Sequence, residues 1–137
     1  LMIANAAFDW RSRLQHTVAM STAESECYAL CAITVEAEFY RGMLREMGVR
    51  KDTPVIIGVD NKAAVLSAKN ASGKRTRHVN IRFHRVREAM YAGRIEVQYV
   101  RGGSSTASEQ KADIMTKSCS GPLFDKFDRE IRGIRDG

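Results

Sequence analysis

Between Ser21 and Gly48 the apolar residues Leu30, Ile33, Ala37, Tyr40, Leu44 and Met47 recur in steps of 3, 4, 3, 4 and 3. That spacing gathers side chains on one face of an α-helix. Ser21-Thr22-Ala23-Glu24 marks its start with the S-x-x-E spacing of a capping box, in which hydroxyl and carboxylate each satisfy an orphan backbone donor. Gly48 stands where a C′ glycine ends a helix.

The pattern after this helix alternates strand and helix. Pro54 introduces Val55-Ile56-Ile57-Gly58-Val59, a continuous β-branched run that reads as a strand buried on both faces. Asp60 and Asn61 end it, and Asn61 can cap a short helix reaching Lys69, with a loop at 70–73. A second long helix is expected from His78 to Ala92, carrying Val79, Phe83, Val86 and Met90 on one side and stopped by Gly93. Ile95 to Val100 alternates as a strand with Ile95, Val97 and Tyr99 on one face. After a loop at 101–105, Thr106-Ala107-Ser108-Glu109 repeats the capping-box spacing and predicts a helix carrying Asp113. Pro122 to Ile134 predicts a last amphipathic helix through Leu123, Phe127, Ile131 and Ile134. At the other end, Leu1 to Ile3 reads as the end of a strand, Ala4 to Ala7 as a turn and Phe8 to Leu14 as a second strand. The chain is α/β, and 137 residues suit one compact domain.

Charge is distributed unevenly. Lys62, Lys69, Lys74, Arg75, Arg77, Arg82, Arg85 and Arg87 fall between Asn61 and Arg87, a stretch without any acid; they are eight of 22 basic residues, against 16 acidic ones in the whole chain. One basic face on a near-neutral body is the footprint of a polyanion binder, the alternative being a solvated helix face without a partner. No apolar run approaches the ~20 residues of a membrane span, and the first residues lack the basic region of a secretory leader, so no membrane partner is expected. Three cysteines, two of them four apart on a helix, fit core thiols in a reducing compartment better than a disulfide framework or a zinc site. His78 and His84 read as phosphate contacts or packing, and no motif supports a serine or cysteine triad.

Three acids occupy informative positions. Glu26 lies four residues before Leu30 and so at the head of the apolar stripe, Asp60 closes a strand at its carboxyl end, and Asp113 follows a glycine-containing loop. Taken singly they read as a first-turn acid, a turn residue and a surface acid. Taken together, several carboxylates in one partly buried site require a compensating cation, and an oxygen-only donor set points to Mg²⁺ or Mn²⁺. Two such ions can activate water and stabilise a leaving oxygen at phosphorus.

Four blocks carry a family resemblance: Trp10 to Leu30 (WRSRLQHTVAMSTAESECYAL), Val55 to Asn70 (VIIGVDNKAAVLSAKN), Thr76 to Glu88 (TRHVNIRFHRVRE) and Glu109 to Lys117 (EQKADIMTK). In order and spacing they resemble the ribonuclease H domain at the C-terminal end of copia-type LTR retrotransposon polyproteins, from about Phe8 to Lys117. The resemblance implies an RNase H-like mixed sheet flanked by helices over residues 1–120, with 121–137 a C-terminal helix or tail. It implies hydrolysis of the RNA strand of RNA/DNA hybrids at two Mg²⁺ ions, Mn²⁺ being the other candidate metal. The family's second, third and fourth acids fall on Glu26, Asp60 and Asp113. Glu24 competes with Glu26 but is also the capping-box partner. The first acid and its strand would lie upstream of Leu1, so the resemblance implies an N-terminally truncated fold. Asn80 stands where the family commonly has an acid.

By the same resemblance Ser21, Thr22 and Asn61 would contact the hybrid near the cleavage site, while Arg75, Arg77, His78 and Arg82 would hold phosphates. The implied partners are an RNA/DNA hybrid and the reverse transcriptase domain of the same polyprotein. The implied location is intracellular: cytoplasm, virus-like particle or nucleus. The alternative is a catalytically inactive RNase H-like module that binds nucleic acid or packs on reverse transcriptase.

Overall fold

The computed structural model describes residues 1–3, 6–10, 22–49, 53–70, 77–102, 109–115 and 117–134. The fold is mixed α/β, and the chain divides into two compact units, Val18–Tyr99 and a second formed by Leu1–Thr17 with Val100–Gly137.

In the Val18–Tyr99 unit the predicted long helix is α1, Thr22–Glu46. It ends as the sequence requires: Gly48 has φ +69°, its N–H donates to the Arg45 carbonyl and the Val49 N–H to that of Leu44, both at 3.0 Å. This is a Schellman cap, and a residue with a Cβ would be strained at that φ. The buried face runs through Cys27, Leu30, Thr34 and Ala37, whereas Ile33, Tyr40 and Leu44 are half-buried and Met47 is exposed. The face is thus rotated from the purely apolar stripe toward Cys27 and Thr34. Thr34 tolerates full burial because its hydroxyl donates to the Leu30 carbonyl at 2.7 Å.

Strands Val55–Val59 and Ile95–Tyr99 pair in parallel, in register from Val55 opposite Ile95 to Val59 opposite Tyr99. They are labelled β3 and β4, because two short strands of the other unit, β1 (Met2–Ile3) and β2 (Ala6–Ala7), precede them in the chain. Two strands running the same way need a crossover, supplied by α2 (Lys62–Lys69) and α3 (Arg77–Tyr91). Asn61 caps α2, its Oδ1 accepting the Ala64 N–H at 3.2 Å. Gly93, φ +64°, closes α3 with a second Schellman cap. The core joins all five elements: Cys27, Leu30 and Ala37; Ile57 and Val59; Ala64, Val65 and Ala68; Phe83, Val86 and Ala89; Ile95 and Val97.

Strand β3 corrects an expectation. Ile57 and Val59 are buried, but Ile56 is 61% exposed and Gly58 is exposed as well. A β-strand presents alternate residues to opposite faces, and here the helices cover one face of Val55–Val59. An unbroken apolar run cannot distinguish that arrangement from burial on both sides.

In the other unit β1 (Met2–Ile3) pairs antiparallel with β2 (Ala6–Ala7), Met2 opposite Ala7 and Ile3 opposite Ala6. The strand therefore resumes at Ala6, inside the span read as a turn, because this register leaves only two residues for the connection. Residues 8–10 are not in a strand, and the rest of the expected second strand lies outside the described residues. The last helix, α4, is Gly121–Arg132, with Pro122 in its first turn, Leu123 and Phe127 completely buried, and Gly133 (φ +70°) closing it. It packs on β2 and on a 3₁₀ helix, Lys111–Met115.

Candidate functional site

The acids singled out by sequence are divided between the units, Glu26 and Asp60 in one and Asp113 in the other. Within neither unit do the described residues gather three or more His, Cys, Asp or Glu side chains able to hold a metal ion.

Asp60 follows the last residue of β3 and is half-buried at the carboxyl edge of the parallel pair. Ligand and catalytic groups collect at that edge in open α/β sheets, where strand ends and helix starts expose backbone and side-chain polar groups. Asn61 is the next residue, its side chain engaged as the α2 cap. Lys62 places its ammonium 5.0 Å from the centre of the Tyr99 ring. Tyr99 is 44% exposed, so it departs from the buried face on which alternation placed it. The contact between Lys62 and Tyr99 was not legible in the sequence, where Lys62 is one member of the basic stretch and Tyr99 the aromatic ending an alternating strand.

Near the start of α1, Glu26 is half-buried and Glu24 buried. The Tyr28 hydroxyl donates to Glu24 Oε1 at 3.4 Å, and the Arg82 guanidinium stacks 4.1 Å from the Tyr28 ring centre. Arg82, a predicted phosphate contact, is exposed on α3 but anchored on this aromatic face. Thr22 is exposed at the first residue of α1. Ser21 and Arg75 lie outside the described residues; Arg77 and His78 lie in the first turn of α3.

The basic stretch is not uniformly available to a ligand. Arg87 donates to the carbonyls of Ser67 (3.0 Å), Ala68 (3.2 Å) and Asn70 (3.0 Å), closing the C-terminal end of α2, where carbonyls lack helical partners. Arg85 pairs with Glu38 of α1 at 2.7 Å, and Arg94 pairs with the other Glu38 oxygen. These two arginines tie α1 to α3 and to the turn before β4. Lys62, Lys69 and Arg82 remain on the exposed surface.

Asp113 was expected on a helix opened by a capping box. It sits instead on the short 3₁₀ helix, with 103–108 outside the described residues. Glu109 does not act as an N3 residue: its N–H donates to the Arg101 carbonyl at 2.6 Å and its carboxylate accepts the Arg101 N–H at 3.5 Å. Nor is Asp113 a surface acid. It is 4% exposed, and its Oδ1 holds the Lys117 ammonium at 2.7 Å. Such an ion pair offsets part of the cost of desolvating a carboxylate.

The acids at issue supply oxygen alone, and Asp113 Oδ1 already accommodates a positive group. None of the three cysteines forms a disulfide, and Cys27 lies in the core. No helix among the described residues is long and apolar enough to cross a membrane.

Comparison with known proteins gives the wider context. The chain is 28% identical over 127 residues, 92% of its length, to the Retrovirus-related Pol polyprotein from transposon RE2 of Arabidopsis thaliana. It is 29% identical over 123 residues, 89% of its length, to that from transposon RE1 of the same plant. It is also 29% identical over 114 residues, 83% of its length, to that from transposon TNT 1-94 of Nicotiana tabacum. The chain spans 8% of the length of each of these polyproteins. No family model matches the chain. No solved structure matches it.

Proposed function

We propose that this chain is the RNase H-like segment of a copia-type retrotransposon Pol polyprotein and hydrolyses the RNA strand of RNA/DNA hybrids. The observation that carries this reading is the similarity to transposon Pol polyproteins along 92% of the chain. Two features support it: an acid at the carboxyl edge of a parallel strand pair, and an aspartate that is buried instead of solvated. Glu26, Asp60 and Asp113 would hold Mg²⁺ or Mn²⁺. Bound there, the metal would supply an activated water and stabilise the 3′ leaving oxygen.

The chain's own residues have separate tasks. The carboxylates bring negative charge to the reacting phosphate, where their ionisation must be matched by bound cations. Arg82, held over the Tyr28 ring, presents a guanidinium whose position is already restricted, which lowers the entropy lost on engaging a phosphate. Lys62 and Tyr99 add a cation and a stacking face beside Asp60. Ser21, Thr22, Asn61, Arg75, Arg77 and His78 complete the proposed hybrid surface, on which contacts to 2′-hydroxyls would distinguish RNA from DNA.

The test is cleavage of an RNA-labelled RNA/DNA hybrid by the chain joined to the polyprotein sequence that precedes it. Cutting of the hybrid in Mg²⁺, with single-stranded RNA spared and chelator abolishing the reaction, is the expected outcome. Equal cutting with and without chelator removes the metal mechanism. A second reading, a module docking on another part of the polyprotein, is favoured by one observation: Val35, Phe39, Met43 and Met47 form an exposed apolar row on α1. Hybrid affinity that does not change across a salt titration would favour that reading over a phosphate-binding surface.

A further inference from the structure

Helix α1 has a second apolar face, opposite the one that joins the core. Val35, Phe39, Met43 and Met47 recur every four residues and are 50%, 66%, 37% and 64% exposed. Residues four apart form a continuous ridge along a helix, and such ridges seat in the grooves of another helix. The bulkiest member of this ridge is Phe39, whose ring is steadied by an edge-on contact with Tyr40, 5.4 Å between centroids. One turn later, beside the ridge, stands Gly42, exposed inside the helix, and a Cβ added there would meet nothing within 4 Å among the described residues. Glycine weakens a helix interior relative to alanine, and no neighbour among the described residues requires it at this place. A projecting ring and a gap thus stand side by side on one exposed face.

We propose that this face binds a second copy of the chain, the two α1 helices crossing at a two-fold axis beside Phe39 and Gly42, so that each Phe39 ring fills the other copy's Gly42 gap. A two-fold interface needs a surface complementary to itself, and a ring one turn from a bare stretch of backbone supplies both halves on one helix. An unrelated apolar partner would need only the ridge; a gap beside it is what a copy needs. Two such ridges interdigitate at a crossing angle of about −50°, the commonest class of helix packing. The four side chains offer roughly 400 Å² of exposed apolar surface per copy, within the ~300–600 Å² of the largest patch on a typical monomer. With the flanking stems, pairing removes about 1,000 Å² in total, the size of a weak association, and half-dimerisation is expected on the order of 100 µM. Glu26, near the start of the same helix, lies about 20 Å along the axis from Phe39 and stays outside the contact. Nothing in this contact depends on the nuclease reading.

The experiment is sedimentation equilibrium of the 137-residue chain from about 10 µM to about 1 mM, with amide chemical shifts followed on dilution. The wild type is compared with F39E, G42L and I56E, the last a control at an exposed apolar residue of β3. The wild type and I56E are expected to dimerise alike, with dilution shifts concentrated from Val35 to Met47. F39E and G42L, both at exposed positions, are expected to keep the wild-type circular dichroism and to raise the dissociation constant at least about tenfold. G42L discriminates most sharply because it adds apolar surface: a face that is only sticky associates more, whereas a ring-in-gap contact is blocked. The wild-type dilution series stands even if a variant misfolds. A wild type that stays monomeric up to about 1 mM overturns the proposal, as do dilution shifts centred elsewhere on the chain or G42L dimerising as tightly as the wild type. Shifts at the Val35 to Met47 amides that appear only when the chain is joined to its preceding polyprotein sequence, without dimerisation, assign the face to that sequence and overturn the proposal as well.

Discussion

The two units place their candidate acids differently. The Val18–Tyr99 unit has an apolar core shared by three helices and two strands, and its candidate acids Glu26 and Asp60 are half-buried at an element start and an element end. Among the described residues of the other unit Leu123 and Phe127 of α4 are fully buried, and its candidate acid is enclosed and ion-paired. A broad apolar core can leave charged groups at its rim, where water still reaches them. An acid placed inside must bring its own counterion, because desolvation of an unpaired carboxylate costs several kcal/mol.

Substitutions break this comparison at graded depths. Phe83→Ala removes the largest fully buried side chain among the described residues of the Val18–Tyr99 unit, and about 4 kcal/mol of unfolding free energy is expected to be lost in urea denaturation. Leu123→Ala in α4 is expected to cost about 3 kcal/mol. Amide hydrogen exchange on this variant should show lost protection in α4 before any in β3 and β4, if the units are separately cooperative. Lys117→Gln leaves a buried carboxylate without its ammonium and should cost about 1–2 kcal/mol by thermal unfolding, whereas Asp113→Asn frees a lysine that can turn to water and should cost under about 1 kcal/mol. Equal costs would show that the pair is not asymmetric. Arg85→Gln, at a 45% exposed side chain in the other unit, should cost under about 1 kcal/mol despite its 2.7 Å ion pair.

Local periodicity made much of the Val18–Tyr99 unit legible. The spacing of Leu30 and Ala37, the Asn61 cap and the glycines at 48 and 93 each act within a few residues, and their elements appear at those places. What escaped was set by partners distant in the chain or by polar groups satisfying themselves. Thr34 is polar and stands outside the apolar stripe, yet its hydroxyl bonds back to Leu30 and it joins the buried face. Arg87 looked like part of a phosphate-binding face, but its acceptors lie 17 to 20 residues earlier, at the end of α2. Glu109 had capping-box spacing but engages Arg101 instead, which leaves Asp113 on a 3₁₀ helix. The acids themselves were legible as types and positions. Their burial was not, because it depends on what packs around them: Tyr28 lies against Glu24, and Lys117 against Asp113.

Under the proposed function, Glu26, Asp60 and Asp113 would each serve the same metal-dependent hydrolysis. Initial cleavage rates on an RNA/DNA hybrid in Mg²⁺, compared among the wild type, E24Q, E26Q, D60N and D113N in the chain joined to its preceding polyprotein sequence, test this most directly. E26Q, D60N and D113N are each expected to abolish cutting while binding the hybrid and folding as the wild type does, and E24Q is expected to cut. Wild-type cleavage by any one of the first three would contradict that function.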